Sequence, residues 1–444
     1  MSKKILTGLG KTKKHTTPAG FKFVQAIGEI GEYRLSQNDL RILYLHRPHT
    51  GVITTNITYF VGARDEARGE TGLAHMLEHM LFKPTKYDLK HKIKSGSAMH
   101  FERQTGSVLN ANTWKDRTTY YFSYPKEYFC EALRIEADRM QNVILSDKVF
   151  RPEQGNVLSE FDMYNGDPHF ALAVQMYSTA FLSHPYGHET IGYREDIEDY
   201  TPEKLDRFYK NYYRPNNAVL MIVGDISENE ALQTTADLFG NIVNPSTPIP
   251  RHAVREPKQE GTRRVYIERP STANIISIGF KHAGFPTKEW FITHIMLDVL
   301  AGGPESILHK LLIDTGKAAA VGVSQEPTSE TNLGMLDITL SPKQQHDSIE
   351  TLVLKKINSI VSKDIDGLVK KAKAKLITDE LFGRTESLHI VSELTEYASA
   401  GDLHAYTMTL DILTSITTKD VMQAIEQNFK ANNLTIGHFI GTMK

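Results

Sequence analysis

The stretch VNPSTPIPRHAVREPKQEGTRR, Val243 to Arg264, carries four prolines and many charges with no apolar periodicity. Proline removes a backbone donor and fixes φ, so such a run neither continues a helix nor sits inside a sheet. It therefore reads as an exposed linker between two domains. The same grammar stands on either side of it. Before it, DLRILYLHRP and VITTNITYFVGA are β-branched and aromatic and read as strands, and GARDEARGETG then leads into an apolar helix. After it, TRRVYIERP and NIISIGFKHAGF read as strands and KEWFITHIMLDVLAGG as the following helix. A chain of 444 residues is long enough for each part to bury its own core. The expectation is α+β, with two homologous domains: a flexible tail over 1–20, a first domain over 21–242, the linker over 243–264 and a second domain over 265–444.

Only the first domain carries chemistry in its helix. In GLAHMLEHMLF, Gly72 to Phe82, a 100° step per residue gathers Leu73, Met76, Leu77, Met80 and Leu81 on one stripe. His75, Glu78 and His79 fall on the other face. Two imidazoles four residues apart stand one above the other at about 5–6 Å, close enough to share one small cation. Glu78 lies beside them, within reach of a water on that cation. A solvated helix face carries Lys, Arg and Gln as well, whereas here the non-apolar positions are nearly all potential ligands. The corresponding helix of the second domain offers His294 and Asp298 but no second histidine.

Composition removes other classes. With 40% hydrophobic and 23% charged residues and a net charge of -2, there is no electrostatic case for nucleic acid or an anionic membrane. The single cysteine, Cys130, rules out an internal disulfide and a thiolate-rich metal site; its expected role is packing on an amphipathic helix. No run of 18 apolar residues suggests a membrane span. The basic amino terminus lacks the apolar core of a secretory signal, so a cytoplasmic location is expected.

A catalytic zinc site has three protein ligands, so two histidines need a third donor. The helix FRPEQGNVLSEFDMYNG offers Glu153 and Glu160, seven residues apart on one face, and spacing alone does not choose between them. Taken together, GLAHMLEHMLFKPT, NANTWKDRTTYY, EQGNVLSEF, HPYGHETIGYREDI and NNAVLMIVGD resemble the pitrilysin/insulinase family of zinc peptidases, including its mitochondrial processing peptidase branch. These stretches follow in the family's order through nearly all of the first domain. The resemblance implies that His75, His79 and Glu160 bind one zinc ion (Zn2+) per chain and that Glu78 is the general base. Glu153 matches an acidic position that orients a ligand by hydrogen bonding. Asn110 and Ala111 match the edge strand to which an extended peptide substrate adds. The fold it implies is two halves, each a mainly antiparallel sheet covered by helices, forming one half of a clam-like shell.

The chain also departs from the family. Leu312 and Ala319 stand where many relatives carry an Arg and Tyr pair that binds substrate and the oxyanion, so this pair is expected from a related partner subunit. A dimer follows, with a heterodimer favoured and a homodimer as the alternative. Phe170 and Val174 replace acids that read a presequence arginine in the processing branch, so presequence cleavage is not expected. An insertion, KYDLKHKIKSGSAMHFERQTG, brings Lys86, Lys90, Lys92 and Lys94 near the site and reads as a solvated loop, with His91 and His100 uninvolved. Two functional readings remain: a zinc endopeptidase acting on unfolded peptides, and a catalytically silent scaffold subunit. Retention of His75, Glu78, His79 and Glu160 together favours the first.

Overall fold

A computed structural model describes residues 17–443, so most of the expected tail over 1–20 lies outside the described residues. The first sheet contains β1 Phe21–Ile27, β2 Ile30–Leu35, β3 Arg41–His46, β4 Val52–Tyr59, β5 Val108–Thr113, β6 Thr118–Pro125 and β7 Ala218–Gly224. Its order is β1-β2-β3-β7-β4-β6-β5, antiparallel except where β3 meets β7. The second contains β8 Arg263–Arg269, β9 Asn274–His282, β10 Ala318–Ser324, β11 Asn332–Leu340 and β12 Leu434–Gly441, in the order β10-β11-β9-β12-β8. Here only β12 and β8 run parallel. In each sheet one late strand is inserted beside the first of a set, so β3-β7-β4-β6-β5 and β8-β12-β9-β11-β10 are the same topology. The second sheet simply has no counterpart of β1 and β2. β7, AVLMIVG, is buried along its whole length, as a central strand covered on both faces must be.

The first six α-helices along the chain are α1 Leu73–Met80, α2 Lys86–His91, α3 Ser97–Thr105, α4 Phe129–Arg139, α5 Asp147–Asn165 and α6 Pro168–Ala180. The insertion is thus two short helices and not a loop. Asp88, 1% exposed, organises it: its carboxylate accepts the backbone N–H groups of Thr85 at 3.0 Å and Ser97 at 3.1 Å. Cys130 lies on the exposed side of α4, which buries Phe129, Ala132 and Leu133 instead; the expected packing role is corrected.

Two compact units emerge, and they are not the contiguous stretches suggested by the linker. One gathers the chain up to Ser159, Thr190–His252 and Gly383–Thr407; the other gathers Glu160–Glu189, Ala253–Phe382 and the chain from Met408 on. The reason is apolar burial. α6 seals Leu172, Met176 and Tyr177 against Ile275, Leu333 and Phe439 of the second sheet. Conversely, the Ser387–Ser399 helix buries Ile390, Val391 and Leu394 and packs on β4 and β7 of the first. The linker itself is pinned: Arg251 Nη1 donates to the Phe60 carbonyl at 2.7 Å, and Glu256 accepts the N–H groups of Leu182, Ser183 and His184 at 3.1 Å. Among the described residues no helix is long and apolar enough to cross a membrane.

Candidate metal centre

α1 begins where it does because of Gly72 and Glu66. Gly72 has φ +87°, and a Cβ there would lie 2.3 Å from the Ile191 carbonyl oxygen. The Glu66 carboxylate accepts the N–H groups of Gly72 at 2.7 Å and Ala74 at 2.8 Å, which satisfies helix donors that have no intrahelical partner. Its negative charge also suits the positive end of the helix dipole. Leu73, Ala74, Met76, Leu77 and Met80 are buried, leaving His75, Glu78 and His79 half-buried on the opposite face. The two imidazole centroids are 4.6 Å apart. Burial first, and then the neighbouring His79, pull His75 down to about 3, which keeps it neutral as a ligand must be.

α5 supplies both candidate acids in different roles. The division between the compact units falls inside α5, but the helix is unbroken, so Glu160 takes its position from the helix that carries Glu153. One ligand atom each from His75, His79 and Glu160 lie within 4.8 Å of one another. Burial and then the Glu160 charge, one turn back along the helix, push the Tyr164 phenol up. Glu153 instead is 5% exposed and faces His79, with Oε1 2.8 Å from Nδ1. Lys83 Nζ stands 2.5 Å from its other oxygen, and Asn156 Nδ2 donates to it at 3.0 Å. Burial pushes Glu153 up, but the hydrogen bonds from His79 and Lys83 and the charge of Lys83 outweigh it and hold the carboxyl down at about 2. An ionised carboxylate can only accept, so His79 Nδ1 carries the proton and Nε2 keeps the lone pair for a metal. Glu78 stays outside this set; its Oε2 accepts the Thr113 hydroxyl at 2.6 Å.

Asn110 and Ala111 lie on β5, the edge strand of the first sheet, Asn110 exposed and Ala111 buried. His91, His100 and His294 belong to no metal-capable group among the described residues. A second such group, Asp347, Glu350 and His438, is already answered: Arg264 grips Glu350 with both guanidinium nitrogens at 2.6 and 3.0 Å, and His438 adds a bond at 2.8 Å. A cation there would have to displace an arginine. Sequence reasoning missed Lys83, Asn156 and Tyr164, which helical spacing from His79, Glu153 and Glu160 could have suggested. Thr113 and Glu66 carried no such local signal, because their partners lie on other elements.

Two imidazoles and a carboxylate are donors that suit zinc and leave a fourth position for water or substrate. Residues 41–194 match the family model described as insulinase (peptidase family M16), and residues 199–376 match that described as the peptidase M16 inactive domain. A zinc protease, PqqE, of Helicobacter pylori is 26% identical over 396 residues, 87% of each chain. The probable mitochondrial-processing peptidase subunit beta of Schizosaccharomyces pombe is 29% identical over 206 residues, 46% of this chain and 44% of its own. In fold, the crystal structure of a protease from Helicobacter pylori is similar with a TM-score of 0.85, covering 93% of this chain and 99% of that one at 24% identity.

Proposed function

Since the chain belongs to the insulinase (peptidase M16) family, we propose that it is a zinc-dependent endopeptidase that hydrolyses peptides or unfolded polypeptides. The observation that carries this reading is the approach of His75, His79 and Glu160 within 4.8 Å beside a fourth residue, Glu78, that is not one of them. His75, His79 and Glu160 would hold one zinc ion, which when bound supplies a Lewis acid for the scissile carbonyl and a more acidic water. Glu78 takes the proton of the attacking water and returns it to the leaving amine. The Thr113 hydroxyl, which donates to Oε2, holds this carboxyl in place. Glu153 keeps the His79 ring turned, with Lys83 balancing its charge. The peptide adds as a strand to β5 along Asn110 and Ala111.

The Arg and Tyr pair absent at Leu312 and Ala319 comes, in this reading, from a related subunit, so the working form is a heterodimer, with a homodimer as the simpler alternative. The test is cleavage of a quenched mixed-peptide library by the zinc-loaded chain, run beside Glu78→Gln. Expected is turnover that drops by about 10²–10⁴ or more in the variant, with zinc content unchanged. Cleavage by Glu78→Gln near the parental rate refutes the assignment. A second reading, a catalytically silent subunit, draws support from the match of residues 199–376 to the inactive-domain model. It predicts zinc binding without cleavage, alone or with a related subunit.

A further inference from the structure

Strand geometry gives β5 two distinct faces. Successive side chains alternate, so the buried Ala111 and Thr113, bonded to Glu78 of α1, share one face, while Asn110 and Asn112 share the other. Residues paired across a sheet point to the same side. Asn110 pairs with Tyr121 and Tyr121 with Asn56; Asn112 pairs with Thr119 and Thr119 with Thr58. Asn56 and Tyr121 of the first row, Asn112 and Thr119 of the second and the Ser387–Ser399 helix line a cavity of about 300 Å3, whose polar walls also include Arg117 and His389.

Its hydrogen bonding is incomplete in one direction. Asn56 is 2% exposed; its Oδ1 takes the Thr58 hydroxyl at 2.9 Å and the Thr119 hydroxyl at 2.7 Å, and its Nδ2 donates to no group among the described residues. Asn112 Oδ1 takes Arg117 Nη1, and its Nδ2 likewise donates to none. Arg117 itself is committed, with Nε and Nη2 on Glu396 Oε1. The cavity therefore presents spare amide donors but no spare cation, and Glu386 adds a negative charge to its lining.

We infer that this face of β5 is a side-chain subsite selecting uncharged hydrogen-bonding residues, glutamine above all, at alternate positions of the bound peptide. The inference rests on the reading that peptide adds to β5. Neighbouring strands lie about 4.8 Å apart, so a side chain of the added strand meets Asn112 first. Asn56, two strands further in, keeps the floor of the cavity polar. A carboxamide accepts from Asn112 Nδ2 and can donate in return. A carboxylate finds no free cation and meets Glu386; an ammonium meets Arg117. An aliphatic side chain covers polar groups and offers them nothing.

The test is cleavage of a peptide series carrying Gln, Leu, Glu or Lys at each position in turn, by the zinc-loaded chain, Asn112→Leu and the shape-conserving Asn112→Asp. Peptide affinity is measured in parallel on Glu78→Gln, so that binding is read without turnover. Expected is about a tenfold advantage in kcat/KM of Gln over Leu at positions two apart, mirrored in affinity. The advantage should disappear in Asn112→Leu, and Asn112→Asp should shift it toward Lys. Selective cleavage without the two-residue alternation, or an alternation unchanged in both variants, overturns the subsite and leaves the peptidase reading standing. Neither cleavage nor peptide binding by any form overturns strand addition, and the subsite with it.

Discussion

Glutamine in place of Glu153 tests whether the ligand set is held from behind. The wild-type carboxylate takes His79 Nδ1 at 2.8 Å, Lys83 Nζ at 2.5 Å and Asn156 Nδ2 at 3.0 Å. Glutamine of the same shape retains one oxygen for these three donors and directs its own NH2 at the others. It also leaves the Lys83 ammonium without its counter-charge. His79 then has a weaker acceptor behind it, its ring is less firmly turned, and Nε2 is a poorer donor to a metal. Partners of this kind typically contribute 10–100-fold in metal affinity. That range is about 1.4–2.7 kcal/mol. Zinc affinity, measured by competition with a chromophoric chelator at about pH 7, should fall by this factor, and the rise in Tm on zinc addition should shrink accordingly. Lys83→Met leaves the carboxylate available to His79 and should cost less. An affinity within about twofold of the parent in a well-folded Glu153→Gln chain would refute the orienting role.

Other outcomes follow from packing and charge. Gly72→Ala places a Cβ 2.3 Å from both the Ile191 oxygen and Tyr200 Oη at φ +87°; the urea midpoint should show at least about 2 kcal/mol of destabilisation, with zinc binding lost in parallel. Leu172→Ala, at a fully buried position under the second sheet, should cost about 2–5 kcal/mol, read from the same denaturation curves. Burial pushes Glu256 up, yet the N–H groups of Leu182, Ser183 and His184 and the Lys281 bond hold it down at about 2 from an ordinary 4.5. The stability it adds is full above the ordinary value and is lost as pH falls toward the lowered one, so Glu256→Gln should be weaker than wild type at about pH 7 and converge with it near about pH 2. Equal stabilities at neutral pH would contradict the linkage.

Local periodicity made much of this molecule legible. The 3.6-residue stripe of α1 and the β-branched and aromatic runs of β4 and β6 are properties of neighbouring residues, and both are kept in the structure. Glu153 and Glu160 share one helix face, so their spacing does not separate them and only the family resemblance did; in the structure three donors surround one and two imidazoles lie near the other. The insertion was misread because Asp88 organises it through a buried carboxylate, in a segment whose lysines look solvated. The exchange of α6 and the Ser387–Ser399 helix between units was hidden for a different reason. An amphipathic helix declares that it needs an apolar partner, but not which sheet provides it.

That last helix has a consequence for biosynthesis. Translation delivers β1 to β7 and the whole of α1 and α5 well before Ser387 is made, yet the Ser387–Ser399 helix packs directly on β4 and β7, and Glu396 binds Arg117 beside the edge strand. Until that point the nascent chain has an uncovered apolar sheet face, a target for chaperones and a source of aggregation in shortened products. The unit that carries His75, Glu78 and His79 is thus complete only once Gly383–Thr407 has been made. A cluster whose three candidate ligands end at Glu160 waits for a helix that begins at Ser387.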